Sequence, residues 1–175
     1  MVFPVLSTKR LILRQLDDSD YPEIYLLRSD DNVNKYISRA KETNIDGAKG
    51  FIKKINEGIR ETKSLYWAIC LVDKKQLSGT ICLWNFSEDN TVGEIGFELR
   101  PTYQGKGIMN EALGSVINYG FTELGMRTIL AYVHKDNTPS LQLLEKNNFI
   151  KDDLRKDDEN LNNIVYLLKN PGFSR

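Results

Sequence analysis

Leu99-Arg100-Pro101-Thr102-Tyr103-Gln104-Gly105-Lys106-Gly107-Ile108-Met109-Asn110-Glu111-Ala112 is the stretch from which the rest of the chain can be read. It closes an apolar, strand-like run, Thr91 to Leu99, which Pro101 stops. Beyond the glycines a helical pattern opens, with apolar residues at Met109, Ala112, Leu113, Val116 and Ile117, the spacing of one helix face. A strand that feeds a glycine turn and then a helix start has the outline of an anion site. The N–H groups of a first helical turn have no partner inside the helix, they point outward together, and the helix dipole adds partial positive charge. Gly105 and Gly107 carry no side chain, so an anion can come close to the backbone.

Two familiar phosphate motifs do not fit. A P-loop needs Ser or Thr after its Lys, and Gly107 follows Lys106. A Rossmann fingerprint needs a third glycine where Asn110 stands. A third pattern, [QR]-x-x-G-x-[GA], does match at Gln104, Gly107 and Met109, with Met109 replacing the usual small residue. In this the chain resembles the acetyl-CoA pyrophosphate loop of the GNAT superfamily of N-acetyltransferases. The flanks, Gly93-Glu94-Ile95-Gly96-Phe97 before the loop and Asn110-Glu111-Ala112 after it, resemble the ribosomal-protein-alanine (RimJ/RimL-like) branch. The resemblance implies acetyl-CoA as co-substrate, with no metal, and cofactor contacts at Gln104, Gly105, Gly107, Ile108 and Met109. Lys106 either reaches a CoA phosphate or points to solvent.

The chain in order supports a mixed α/β domain spanning residues 1–175. A first strand covers Arg10 to Leu16, and Asp20 with Glu23 can form a capping box for a helix running to about Arg28. Ser29 to Asn44 is polar and irregular, either a mobile substrate loop or plain surface. Asp46 to Glu61 reads as a helix, with Ala48, Phe51, Ile52, Ile55 and Ile59 on one side. Leu65–Val72, Gln76–Phe86 and Thr91–Leu99 form an antiparallel meander on short turns. A helix from about Gly105 to Leu124 crosses back to Thr128–Val133, whose unbroken apolar character suits a central parallel strand. A short helix, about Pro139 to Asn147, and the strands Phe149–Leu154 and Ile164–Lys169 complete the order.

That order, about seven strands with about four helices, is also the order of the GNAT fold. By resemblance, the strand before the loop and the strand after the long helix start parallel and splay apart. The pantetheine arm lies in the V, and the backbone of Phe97, Glu98 and Leu99 pairs with it much as another strand would. A second segment resembles the family's N-x-x-S…E-K-x-G-F: Asn137-Thr138-Pro139-Ser140, then Glu145-Lys146-Asn147-Asn148-Phe149. Thr138 is expected to cap the short helix, with Pro139 at its first position. The resemblance puts Asn137 on the pantetheine and Ser140 near the sulfur. Asn148 stands where the family has Gly and also tolerates a left-handed cap.

Amine acetylation by a thioester requires a deprotonated amine, a stabilised oxyanion and a stabilised leaving thiolate. Alternation puts Glu94, Gly96 and Glu98 on one strand face and Ile95, Phe97 and Leu99 on the other. Glu94 is the first candidate base, and the resemblance implies Glu at this position. Glu98 is the second candidate, and Asp158 or Glu159 the third. Many GNAT enzymes use a Tyr acid in the short helix, but Leu144 occupies that position here. Ser140 is the best substitute as a donor to the thiolate, with Tyr132 and Tyr166 as alternatives. His134, the only histidine, lacks a motif partner and reads as structural.

Lys plus Arg and Asp plus Glu number 24 each, so net charge offers no case for nucleic acid or an anionic membrane as partner. Tyr66 to Val72, the longest apolar run, is too short to span a bilayer. Cys70 and Cys82 lie in apolar strands, as free thiols do. A cytoplasmic enzyme, monomer or homodimer, is expected. The expected acceptor is a protein N-terminal α-amine. Alternatives are a small amine (a polyamine or aminoglycoside), or no turnover at all in an acyl-CoA-binding module. The early helices, the 29–44 loop and the Asn85–Asp89 turn are expected to form the acceptor pocket.

Overall fold

Leu11 and Leu13 both reach the core with no exposed surface, as period-two alternation requires. They lie in one of eight strands of a single sheet. The computed structural model describes residues 2–173. In chain order the elements are β1 (Leu6–Ser7), β2 (Leu11–Gln15), α1 (Tyr21–Ser29), α2 (Asp31–Asn34), α3 (Ile45–Arg60), β3 (Ser64–Leu71), β4 (Leu77–Trp84) and β5 (Val92–Leu99). There follow α4 (Ile108–Thr122), β6 (Thr128–His134), α5 (Thr138–Lys146), β7 (Ile150–Lys151) and β8 (Asn163–Lys169). The sheet order is β1-β2-β3-β4-β5-β6-β8-β7. Only β5 and β6 are parallel.

Two elements go beyond the expected seven strands and four helices. β1 pairs Leu6 with Leu13 and Ser7 with Ile12, and two residues carry no alternation to read. α2 rests on a cap: Asp30 Oδ1 accepts from Asn32 N at 2.8 Å and Val33 N at 3.0 Å. β7 is shorter than the run Phe149–Leu154, because Asp152 Oδ1 turns the chain by accepting from Leu154 N at 3.1 Å. β4 stops at Trp84 because Asn85 adopts a left-handed φ of 49°. Asn148, with φ 64°, is left-handed as expected.

The expected Asp20–Glu23 box does not form. Asp17 instead caps a 3-10 turn over Asp18–Asp20, and Asp20 makes no side-chain cap bond to α1. Asp20 is buried and takes both guanidinium arms of Arg14, at 2.7 and 2.8 Å, plus Asp17 N at 2.7 Å. A bidentate guanidinium is a stronger partner for a buried carboxylate than a lone backbone N–H. The pair fastens β2 to the entry of α1.

Two cores sandwich the sheet. On one face, α4 contributes Ala112, Leu113 and Val116, packed in one cluster with Trp67, Leu83 and Ile95. On the other, Ile24 of α1 and Ala48 and Ile52 of α3 pack with Ala68, Cys70 and Leu77. Both cysteines are free.

The feature that makes a site is the parting of β5 from β6. They pair only at Val92–Thr128, Gly93–Ile129 and Glu94–Leu130. Beyond Glu94, β5 stays bonded to β4 as far as Leu99, opposite Gly79, while β6 stays bonded to β8 as far as His134. At Gly79 a Cβ would stand 2.4 Å from Glu98 O, so only glycine lets β4 draw the end of β5 this close.

Breaking the Arg14–Asp20 pair should leave the half-buried Arg14 guanidinium without its carboxylate. Asp20→Ala is expected to cost about 2–4 kcal/mol, read as a lower denaturant midpoint at unchanged m-value. A loss no larger than that of an exposed carboxylate substitution would show that the pair does not hold this corner.

Candidate active site

The loop after β5 is built before the helix begins. Pro101–Tyr103 form a 3-10 turn, and Gln104 Nε2 donates to Leu99 O at 2.9 Å, tying the loop to the strand end. Gly105 and Gly107 have φ of +71° and +72°, left-handed values that a Cβ disfavours. Gly107 is the N-cap of α4. The first bond within the helix runs from Glu111 N to Gly107 O, at 3.2 Å, so the N–H groups of Ile108, Met109 and Asn110 have no helical partner. Ile108 and Met109 are buried in the core cluster, which explains why Met109 serves where a small residue is usual.

A cleft of about 1340 Å³ follows the gap between β5 and β6. Phe97, Glu98, Leu99, Gln104, Gly105, Gly107, Ile108, Met109, Asn137 and Ser140 all line it, as does Glu94. Lys106 is not among the lining residues, and its Nζ folds back to donate to Thr102 O at 2.7 Å. Asn137, rather than Thr138, is the cap of α5: its Oδ1 accepts from Ser140 N at 3.4 Å, with Thr138 and Pro139 the first helical residues. An Asn side chain accepts through its oxygen and donates through its amide, so capping leaves the NH2 for a ligand. The fit to acetyl-CoA is direct. Unpartnered N–H groups at a glycine-opened helix start suit a pyrophosphate, and the open edge of β5 suits an amide-bearing arm.

Glu94 sits where the strands part. Burial pushes its carboxyl up, a contact from Asn85 Nδ2 at 3.5 Å opposes this, and the charges of Asp157 and Glu159 raise it further, to about 7. Glu98 differs although it shares the face. Its carboxylate is 2.7 Å from Arg39 Nη2, both side chains being largely buried. The contact is close but bent, so Arg39 Nη2 and Glu98 Oε2 form an ion pair without a hydrogen bond between them. Asp158 and Glu159 line the cleft on the loop before β8. Asp157 shapes this loop by accepting from Glu159 N at 3.0 Å and Asn163 Nδ2 at 2.7 Å.

Tyr132 lines the cleft, its phenol pushed up first by burial and then by the charge of Glu94. Tyr166 does not line it and donates to Glu145 Oε1 at 2.8 Å. Leu144 is fully buried. His134 lines the cleft, stacks against Tyr36 at 5.3 Å, and its Nδ1 accepts from Asp136 N at 3.2 Å. The 29–44 loop and the Asn85–Asp89 turn, expected around the acceptor pocket, do reach β5, but Tyr36, Arg39 and Asn85 themselves stand in no motif and the sequence does not single them out. Among the described residues, no group of three or more His, Cys, Asp or Glu could hold a metal ion. Among the described residues, no helix is long and apolar enough to cross a membrane.

Comparison with known proteins bears on the family and the fold. The family profile described as "Acetyltransferase (GNAT) domain" matches residues 10–150. A Bacillus subtilis relative named "Uncharacterized N-acetyltransferase YoaA" is 35% identical over 151 residues, 86% of this chain and 85% of the relative. A structure of the ribosomal L7/L12 α-N-protein acetyltransferase RimL with coenzyme A superposes with a TM-score of 0.82 at 15% identity, over 95% of this chain and 98% of that one. The ribosomal-protein-S5-alanine acetyltransferase from Vibrio fischeri gives 0.82 at 20% identity, over 98% and 100%.

Two substitutions test the cofactor half of the cleft. Gly107→Glu adds a negative charge and a Cβ at a left-handed position, and acetyl-CoA affinity should collapse; a folded variant with unchanged affinity would refute the placement. Asn137→Ala should lose one or two hydrogen bonds to the cofactor worth on the order of 1 kcal/mol each, weakening acetyl-CoA several-fold, alongside a stability loss of about 1 kcal/mol from the lost helix cap. Lost stability with unchanged affinity would reduce Asn137 to a helix cap.

Proposed function

This chain belongs to the GNAT acetyltransferase family, and from that premise we propose that it acetylates a protein N-terminal α-amine by direct attack on the thioester of acetyl-CoA. The observation that carries the acceptor is Glu94, unpaired in the cleft with a carboxyl near 7. A base of that strength is matched to an α-amine, of pKa about 8, and poorly matched to a lysine, of about 10.4. The relatives named for ribosomal-protein N-termini share the fold at low identity, which is compatible with this reading.

In the reaction the pyrophosphate of acetyl-CoA rests on the N–H groups from Gly105 to Met109 and its arm runs along Phe97–Leu99, with Asn137 opposite. Glu94 accepts the amine proton, directly or through a water. The amine nitrogen bonds to the carbonyl carbon while β5 N–H groups hold the oxyanion. The C–S bond then breaks, and Ser140 donates a hydrogen bond to the departing thiolate, with Tyr132 as the alternative donor. A second reading, a cationic small amine, is favoured by Asp158 and Glu159 at the cleft. CoA release measured with N-terminal peptides, spermidine and aminoglycosides separates the two: turnover of peptides is expected, and turnover of only the small amines would overturn the proposal.

Glu94 gives the proposal a pH signature. As pH rises through about 7 the carboxylate becomes available and kcat should climb. Glu94→Gln should lower kcat by about 10²–10⁴-fold near neutrality, with acetyl-CoA affinity held and partial rescue at high pH. A parent-like rate across that range would make Glu94 structural. The stability sign is opposite. A carboxyl raised from 4.5 to about 7 on folding favours the native state at low pH, and that contribution is lost as pH climbs through 7. Glu94→Gln lacks this loss, so above pH 7 it should be more stable than the parent by on the order of 1–2 kcal/mol after solvent screening. Equal thermal midpoints at pH 8 would show that Glu94 is no more desolvated than a surface acid.

A further inference from the structure

The helix start that would hold pyrophosphate carries its own acid. Glu111 lies in the first turn of α4. There its charge suits the helix dipole, but it also opposes the approach of a phosphate. The turn between β1 and β2 answers it. Thr8 Oγ1 accepts from Leu11 N at 3.0 Å, which fixes that turn. Thr8 Oγ1 then donates to Glu111 Oε1 at 2.6 Å, Arg10 N donates to the same oxygen at 2.9 Å, and Arg10 Nε donates to Oε2 at 2.6 Å. One further arm of the guanidinium, Nη1, donates to Lys106 O at 2.9 Å. Arg10 is not among the residues lining the cleft, so that carbonyl is engaged from outside the cradle.

We propose that Arg10 is a positioning residue for the cofactor loop: it neutralises Glu111 and turns the Lys106 carbonyl out of the cradle, so that the start of α4 presents only N–H groups to an incoming diphosphate. This rests on the pyrophosphate placement proposed above. Three observations support it independently of that placement. The network joins residues some hundred positions apart in sequence, Arg10 to Glu111 and Arg10 to Lys106. Burial raises the Glu111 carboxyl, but the bonds from Thr8 and Arg10 outweigh it and hold the group below its ordinary range, hence ionised. A Cβ built on Gly107 would stand 3.5 Å from Arg10 Nη2, so the guanidinium backs directly onto the left-handed glycine.

The test compares Arg10→Met, Glu111→Gln and the double variant, with acetyl-CoA and with S-acetylpantetheine, which lacks the diphosphate. Arg10→Met should weaken acetyl-CoA about tenfold with kcat within about twofold, and should leave KM for S-acetylpantetheine unchanged. The double variant should regain most of the acetyl-CoA affinity, because the exposed carboxylate has gone. Arg10→Lys, which keeps the charge but not the fork, should fall between parent and Arg10→Met. A double variant no tighter than Arg10→Met, an equal loss with S-acetylpantetheine, or parent-like affinity in Arg10→Met would each overturn the proposal. Failure of the pyrophosphate placement would appear separately, as unchanged affinity in Gly107→Glu.

Discussion

Three rungs of parallel pairing, ending at Glu94–Leu130, set the conditions for everything around the cleft. A backbone edge inside a protein needs hydrogen-bond partners, and past this point β5 and β6 no longer serve one another. The sheet remains sound because each strand keeps its outer neighbour, β4 for one and β8 for the other. The opening is therefore made by the middle of the sheet and not by a loop, and both walls inherit the rigidity of two packed layers. Asn137 follows directly from one wall and Gln104 from the other, so the groups expected on the cofactor share a frame.

The treatment of charge sets three arginine-paired carboxylates apart from Glu94, the base proposed above. Asp20 is matched by Arg14, Glu98 by Arg39 and Glu111 by Arg10. Each match crosses between elements and fastens one to another: β2 to the entry of α1, the 29–44 segment to β5, the N-terminal turn to α4. Glu94 has only the amide of Asn85 nearby and carboxylates beyond it. Two glutamates four residues apart on one strand face thus have different surroundings, one beside a guanidinium and one raised to about 7, chiefly by burial. The difference lies in whether a loop delivers an arginine.

The sequence made the loop legible because its physics is local: φ above zero at two glycines and orphaned N–H groups need no distant partner. The β3–β4–β5 meander was legible for the same reason, from alternation and short turns, whereas the parting of β5 from β6 was implied by the resemblance alone. β1 and α2 escaped because two and four residues hold no period. The Asp20–Glu23 box was a sound local reading that lost to a bidentate arginine six residues upstream, a tertiary preference that spacing cannot express. Placing Glu94 ahead of Glu98 follows from the resemblance and from its place on the strand before the loop, whereas Arg39, which pairs with Glu98, sits in a stretch with no pattern at all. Thr138 as cap was off by one residue, because Asn137 itself has the better capping side chain.

The two tryptophans occupy opposite environments. Trp67 is fully buried, with its indole N–H donated to Pro4 O at 2.8 Å. Trp84 is 45% exposed and lines the cleft across the strand pair from Glu94. The molecule therefore carries a built-in optical probe. Trp67 supplies a constant blue-shifted emission, while the red-shifted emission of Trp84 is the component that a nearby ligand can quench or shift. Occupancy of the cleft can then be followed by intrinsic fluorescence, with Trp84→Phe as the dark control.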